Sequence, residues 1–471
     1  LVGSRLFSIV SGLLRHVKLP LLFTVRLTMK SFWKVAVVAL GAGGCCNAIA
    51  QDLGAEVAEL RQLLAEAKSD YEARIAGLEK RLEQAERVAN DASRDAGDAR
   101  EVAEQAAIDS TSGSTSANAF NPAISAVLIG RYGDIGNGWD SIPGFIPGGE
   151  IGPGESGFSL GESEFNLNAN IDPLFFGNLT LAIADDGGVT ELSAEEAWIQ
   201  TTSLPHGLTL RGGRYFSNVG YLNGVHAHAD DFADRPLPYQ AFLGGQYKAD
   251  GVQMTWLAPT AMFLELGAEL NWGGGFPMTG NGDTSPDAWT MSGKLGGDVG
   301  DSHSWQAGLA YISTDVVERT AGNGDSFSGD SDLAVFDFIW KWSPGGNPTI
   351  HNFKVQGEYL RREENGEFAM LPYDGKQNGW YLQGAWQFRQ GWRVGARWDQ
   401  LDSNNGPLFA GTILQDPAWT PRRASLMFDW SPSEFSRLRL QYTNDRVQDA
   451  ADNQFILQYL MSLGAHGAHR F

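Results

Sequence analysis

The stretch Trp392-Arg393-Val394-Gly395-Ala396-Arg397-Trp398-Asp399 changes character at every step, with Trp392, Val394, Ala396 and Trp398 on one parity and Arg393, Gly395, Arg397 and Asp399 on the other. Successive side chains of a strand point to opposite faces, so a period of two describes a strand with one apolar and one polar face. The pattern recurs. Leu264, Leu266, Ala268 and Leu270 alternate with Glu265, Gly267, Glu269 and Asn271, and Leu438, Leu440 and Tyr442 alternate with Arg437, Arg439 and Gln441. A soluble sandwich alternates in the same way. Aromatic residues at the outward strand ends, charged inward positions and alternately short and long connections select instead an all-β fold, a transmembrane antiparallel β-barrel. Counting such runs predicts about 16 strands, an even number as these barrels require.

Turn chemistry orients the strands. Arg389-Gln390-Gly391 and Ser431-Pro432-Ser433 read as tight periplasmic turns, and the Gly/Asp-rich segments Gly273 to Asp287, Ala321 to Asp332 and Ser403 to Thr420 as external loops. In the last run Phe455, Leu457, Tyr459, Met461, Leu463 and Phe471 share one parity, which places a terminal aromatic on the lipid face as a barrel-assembly signal. The 58 glycines and 15 tryptophans fit many strands and turns. No run of about 18 apolar residues follows residue 50, which excludes a helical membrane protein.

Before the barrel the period is different. Met29 opens a secretory signal, with basic Lys30 and Lys34, an apolar run from Val35 to Ala42 and the small-residue site Ala48-Ile49-Ala50. Residues 1–50 are therefore an upstream extension plus signal, with a mature start near Gln51. The rival is a lipoprotein signal at Cys45 or Cys46, but Ala42-Gly43-Gly44 lacks the large aliphatic residue such signals use. Both cysteines fall in this leader, so the mature chain has no disulfide and no thiolate metal site. Residues 51–109 carry a heptad seam, from Leu53, Val57, Leu60 and Leu64 on to Ile75, Leu78, Leu82 and Ala106 with one stutter, which predicts a periplasmic coiled coil about 80 Å long. A Ser/Thr/Gly-rich linker at 110–119 separates it from the barrel, 120–471.

The whole chain has a formal charge of −21. The leader holds six basic residues and no acidic one, so the rest is more acidic still, which excludes a nucleic-acid partner and mildly favours cations in any pore.

The segment from Phe120 to Ser125 (FNPAIS), the run from Ser159 to Asp172, the GYLNGVHAHADDF run at Gly220 to Phe232 and the GAHGAHRF ending at Gly464 to Phe471 together resemble a proteobacterial family often labelled zinc-regulated TonB-dependent outer-membrane proteins. The architecture is also similar to coiled-coil-bearing trimeric porins, including phosphate-selective ones. The resemblance implies an outer-membrane barrel in contact with lipid and a homotrimer; contact of the coiled coil with peptidoglycan is a separate expectation. TonB-dependent transporters have about 22 strands and a plugged lumen. Here a helical segment stands in place of a plug, so the expected function is passive passage of small hydrophilic solutes or ions. The alternatives are zinc-regulated metal uptake linked to TonB and a structural tether to peptidoglycan.

The segment from Phe216 to Gln246 is a long connection containing Tyr221, Leu222, Phe232, Tyr239, Phe242 and Leu243, which an exposed loop would not need. It is expected to fold into the barrel and narrow it. It carries Asp230, Asp231 and Asp234, while parity turns Lys354, Arg389, Arg393, Arg397, Arg437 and Arg439 into the lumen. Acidic groups facing a basic wall would set a field across the constriction. Lying nearest the narrowest point, the three aspartates would give modest cation preference.

Four of the eight histidines lie in His226-x-His228 and His466-x-x-His469. No cofactor is required by the channel reading, but His226 and His228 with a nearby Asp could share Zn²⁺ or Cu²⁺. His466 and His469 have opposite strand parity and form the weaker candidate; the plain alternative for both pairs is hydrogen bonding. Asp325, Asp330 and Asp332 offer oxygens to Ca²⁺ without EF-hand spacing. An enzyme is the competing class, since HAHADD offers His and Asp groups, but no Ser/His/Asp order or nucleophile elbow accompanies them.

Overall fold

The computed structural model describes residues 122–149, 151–186, 189–280, 282, 284–321 and 324–464. The leader, coiled coil, linker, His466, His469 and Phe471 lie outside the described residues. Seventeen strand segments form one sheet. They are β1 (Ala123–Asp134), β2 (Gly157–Leu160), β3 (Ser163–Asn170), β4 (Phe175–Asp186), β5 (Val189–Thr201), β6 (Leu208–Phe216), β7 (Lys248–Leu257), β8 (Phe263–Trp272) and β9 (Ala288–Val299). The others are β10 (His303–Thr320), β11 (Ser326–Trp342), β12 (Asn352–Phe368), β13 (Leu371–Arg389), β14 (Trp392–Asp402), β15 (Arg422–Ser433), β16 (Ser436–Arg446) and β17 (Asp452–Gly464). β2 and β3 both pair with β1, at Gly130–Gly133 and Ala123–Val127, so they are one stave broken at Gly161 and Glu162. β17 closes on β1 from Ser125↔Gly464 to Asp134↔Phe455. The result is a closed antiparallel barrel of 16 strands, as expected. Closure leaves no open sheet edge, which a bilayer demands because it offers no water to unpaired backbone groups.

The burial pattern inverts that of a soluble protein. Along β15, Leu426, Phe428 and Trp430 are exposed, whereas Arg423 and Asp429 are almost wholly buried. β17 repeats this, with Phe455, Leu457, Tyr459 and Leu463 outward and Gln454, Gln458 and Ser462 inward. Near the ends of the strands on one side, Trp340 packs edge-on to Phe353, and Trp392 stacks on Trp430 at 5.7 Å, an aromatic girdle of the kind found where a barrel meets the headgroups.

Short connections gather at that end, among them 300–302, 390–391 and 434–435, and so do Ala123 and Gly464. Long connections, 135–156, 217–247, 273–287 and 403–421, leave the other end. Two expected boundaries shift. Ser431-Pro432-Ser433 is not the turn; it ends β15 at a bulge between Trp430 and Ser433, where Pro432 need not donate to the ladder, and Glu434 and Phe435 turn the chain. The loop expected from Ala321 to Asp332 shrinks to 321–325, because β11 already pairs with β10 from Ser326. β10 to β13 run to 17–19 residues. About 9–11 suffice to cross a bilayer, so these hairpins extend beyond it.

Candidate functional site

Residues 217–247 leave β6 and turn into the barrel. Asn223 ties the two ends of this connection: its side-chain amide donates to the carbonyls of Ser217 and Tyr247, both at 2.8 Å, and its Oδ1 accepts from the Tyr247 amide at 2.8 Å. Glu358 of β12 anchors it deeper, accepting from the Leu222 amide at 2.9 Å and the Tyr239 hydroxyl at 2.8 Å. A short helix, α1 (Leu237–Leu243), is wholly buried against β12, β13 and β14. Its Phe242 meets Phe145 of the 135–156 connection edge-on at 5.6 Å. The apolar residues that singled this segment out are thus a small core inside the barrel.

Asp231 and Asp234 touch the basic wall instead of facing it across a gap. Asp231 pairs with Lys354 and with Arg393 at 3.0 Å. Asp234 accepts from Arg397 through both oxygens at 3.0 Å and lies 2.8 Å from Arg423. Asp230 turns to Arg235 of its own segment at 3.1 Å. Arg439 donates to the Asp230 carbonyl at 2.9 Å and Arg437 to the His228 carbonyl at 2.5 Å. Phe232 lies under the Arg397 guanidinium, 4.7 Å from ring centre to carbon. Burial opposes charge on Asp231 and Asp234, yet the adjoining cations overcome it and hold both below the usual carboxylate range, Asp234 at about 2. Of the expected basic residues only Arg389 stays apart, at the turn into β14.

Across the lumen, His226 and His228 reach the wall formed by β3 and β5. His226 Nδ1 is 3.0 Å from Glu164 and 3.3 Å from Glu195, its Nε2 is 3.2 Å from Glu196, and His228 Nδ1 is 2.7 Å from Glu164. The rings stack with centroids 5.5 Å apart. The two rings come together from a 3-10 turn at Ala227–Ala229, not from the strand or extended loop expected, and their carboxylate partners are glutamates of the wall, while Asp230 and Asp231 face cations. Two adjacent glutamates reach one ring because β5 bulges. Thr180 pairs with Glu196 and Leu181 with Ala194, leaving Glu195 as an extra residue, so Glu195 and Glu196 both turn inward. Burial alone would lower the His226 pKa, but the three carboxylates raise it well above the usual imidazole value.

Among the described residues, His, Asp and Glu ligand atoms converge in Glu164-His226-His228 and in Glu162-Glu164-Glu195. Asp325, Asp330 and Asp332 do not join such a group. Sequence reading missed Arg423 and the four glutamates. Parity with Met427 would have placed Arg423 inward; no local signal reveals the bulge that aims Glu195.

A closed 16-strand wall, apolar outside and charged inside, with a connection folded into its lumen, is the fold of outer-membrane β-barrels of the porin kind. No family model matches the chain. It is 32% identical over 343 residues to an uncharacterized protein of Aquifex aeolicus strain VF5, covering 67% of this chain and 70% of that one, and it belongs to that protein's family. Among solved structures it is similar to the outer membrane channel DcaP of Acinetobacter baumannii, with a TM-score of 0.50 and 14% identity over 74% of this chain and 99% of that one. It also matches a loop-deletion mutant of OmpT, an outer membrane protein of Vibrio cholerae, at a TM-score of 0.48 and 12% identity over 74% of this chain and 100% of that one.

Proposed function

We propose that this protein is an outer-membrane channel for passive passage of small hydrophilic solutes and ions. The observation that supports this most directly is the closed wall, lipid-facing outside and polar within, whose lumen is narrowed by a connection held on both sides. Toward the short-turn end the inward face carries half-buried Asn166, Asn168, Asn178, Gln200, Arg211, Glu265 and Lys294, groups that exchange hydrogen bonds with water and with a polar solute. DcaP, similar in fold, is described as an outer membrane channel. A homotrimer, with residues 51–109 reaching through the periplasm toward peptidoglycan, belongs to the same reading. Purified full-length protein in a planar bilayer should give stepwise, ohmic conductance. Protein that inserts in its heat-modifiable form yet carries no current at any voltage would overturn the proposal.

A further inference from the structure

The convergence of imidazole and carboxylate ligands inside the lumen has a chemistry of its own. One ligand atom each from Glu164, His226 and His228 lie within 4.8 Å of one another. Zinc binds imidazole nitrogen and carboxylate oxygen at about 2.0–2.2 Å in tetrahedral geometry, so three ligands around one ion sit roughly 3.4 Å apart, within small side-chain adjustments of what is seen. Two nitrogens and one oxygen are a ligand set for Zn²⁺ and its transition-metal neighbours, whereas Ca²⁺ and Mg²⁺ want oxygen alone.

The surroundings fit an ion as well. Glu164, Glu195 and Glu196 are all buried, and Glu162 converges with Glu164 and Glu195 in the second group. Carboxylates drawn together out of water repel one another unless a proton or a cation lies between them, and the imidazoles with the Arg211 and Arg235 guanidiniums nearby supply part of that charge. A divalent cation bound by neutral imidazoles offsets the same charge with less crowding. His226 meets carboxylates at both ring nitrogens, so one nitrogen can ligate while the other donates to a glutamate that fixes the ring, the usual second layer of a histidine metal site. The β5 bulge supplies that layer.

We propose that Glu164, His226 and His228, backed by Glu162, Glu195 and Glu196, bind one zinc-like divalent ion that staples the inward connection to the wall of β3 and β5. The inference stands whether or not solutes cross the barrel. Untagged full-length protein, stripped with a chelator and dialysed against micromolar zinc, should retain one zinc per chain by elemental analysis. X-ray absorption should show a nitrogen/oxygen shell with two imidazoles. The double variant His226→Ala/His228→Ala should retain almost none while remaining heat-modifiable, and His466→Ala/His469→Ala should still retain one. Should the first double variant fail to fold, Glu164→Gln must weaken zinc binding by at least about tenfold. Native protein that keeps no zinc, an absorption spectrum lacking two imidazoles, undiminished zinc in the first double variant, or undiminished affinity in Glu164→Gln would each overturn the site.

Discussion

Asp234 shows how much one side chain holds. It engages Arg397 through both carboxylate oxygens and Arg423 through one, and both arginines are almost wholly buried. Removing one partner of a buried ion pair costs about 3–5 kcal/mol, because the cations left behind keep their desolvation penalty. In Asp234→Ala, amide protection in residues 219–245 should therefore fall by roughly a hundredfold in hydrogen exchange, with the strand amides unaffected. Unchanged protection would show that the pairs do not hold the connection. Acid should act in the same direction. The Asp234 pKa is depressed from 3.8 to about 2, so its contribution is complete above 3.8 and lost as pH falls toward 2. Protection of the connection should decline over that interval and stay flat around neutrality. Changing Asp230, Asp231 and Asp234 together to Asn leaves Lys354, Arg393, Arg397 and Arg423 without their acidic partners on the connection. The reversal potential in a salt gradient should then move toward anion preference; an unmoved potential would place these residues away from the ion path.

At the scale of the element, the connection from 217 to 247 adds nothing to the ladder, since β6 and β7 pair from Leu208↔Trp256 to Phe216↔Lys248 without it. Replacing residues 219–245 with a short Gly/Ser linker should leave barrel assembly intact and raise single-channel conductance roughly twofold or more, because current through a pore is set at its narrowest section. Conductance equal to the native value would mean that the narrowing lies elsewhere. That this segment folds inward was legible from Tyr221, Leu222, Phe232, Tyr239, Phe242 and Leu243, apolar groups that water would not tolerate together. Its partners were not legible. The wall residues that Asp231 and Asp234 meet lie far off in sequence, on β12 to β16, and the glutamates beside His226 depend on one extra residue in β5.

For the whole molecule, the outward face of the barrel is an apolar band. Leu426 sits near the middle of β15, more than half exposed on the apolar outer face of the barrel. Leu426→Arg should reduce folding free energy in phospholipid vesicles by about 2–4 kcal/mol, the cost of a cation near the bilayer midplane. A change below a few tenths of that cost, read from urea titration, would be incompatible with a lipid-facing position. The proposed trimer makes a separate demand: the mass of the detergent complex, corrected for bound detergent, should correspond to three chains, and a stable single chain in lipid would exclude it.

The alternation in Trp392 to Asp399 and in its fellow strands, taken with aromatic strand ends, charged inward positions and alternately short and long connections, made the barrel legible from sequence alone. A period of two is a local property, and a lipid solvent imposes it on every strand separately, so each strand carries its own record of which face is wet. The inward course of the connection was legible at the same local level, from its composition. Tertiary structure decided the rest: that Asp231 and Asp234 clasp the basic wall, that Arg423 shares Asp234, and that Glu164 replaces a neighbouring aspartate beside the imidazoles. Those contacts join residues far apart in the chain, and their geometry follows from barrel closure and a single bulge, neither of which leaves a trace in any one stretch of sequence.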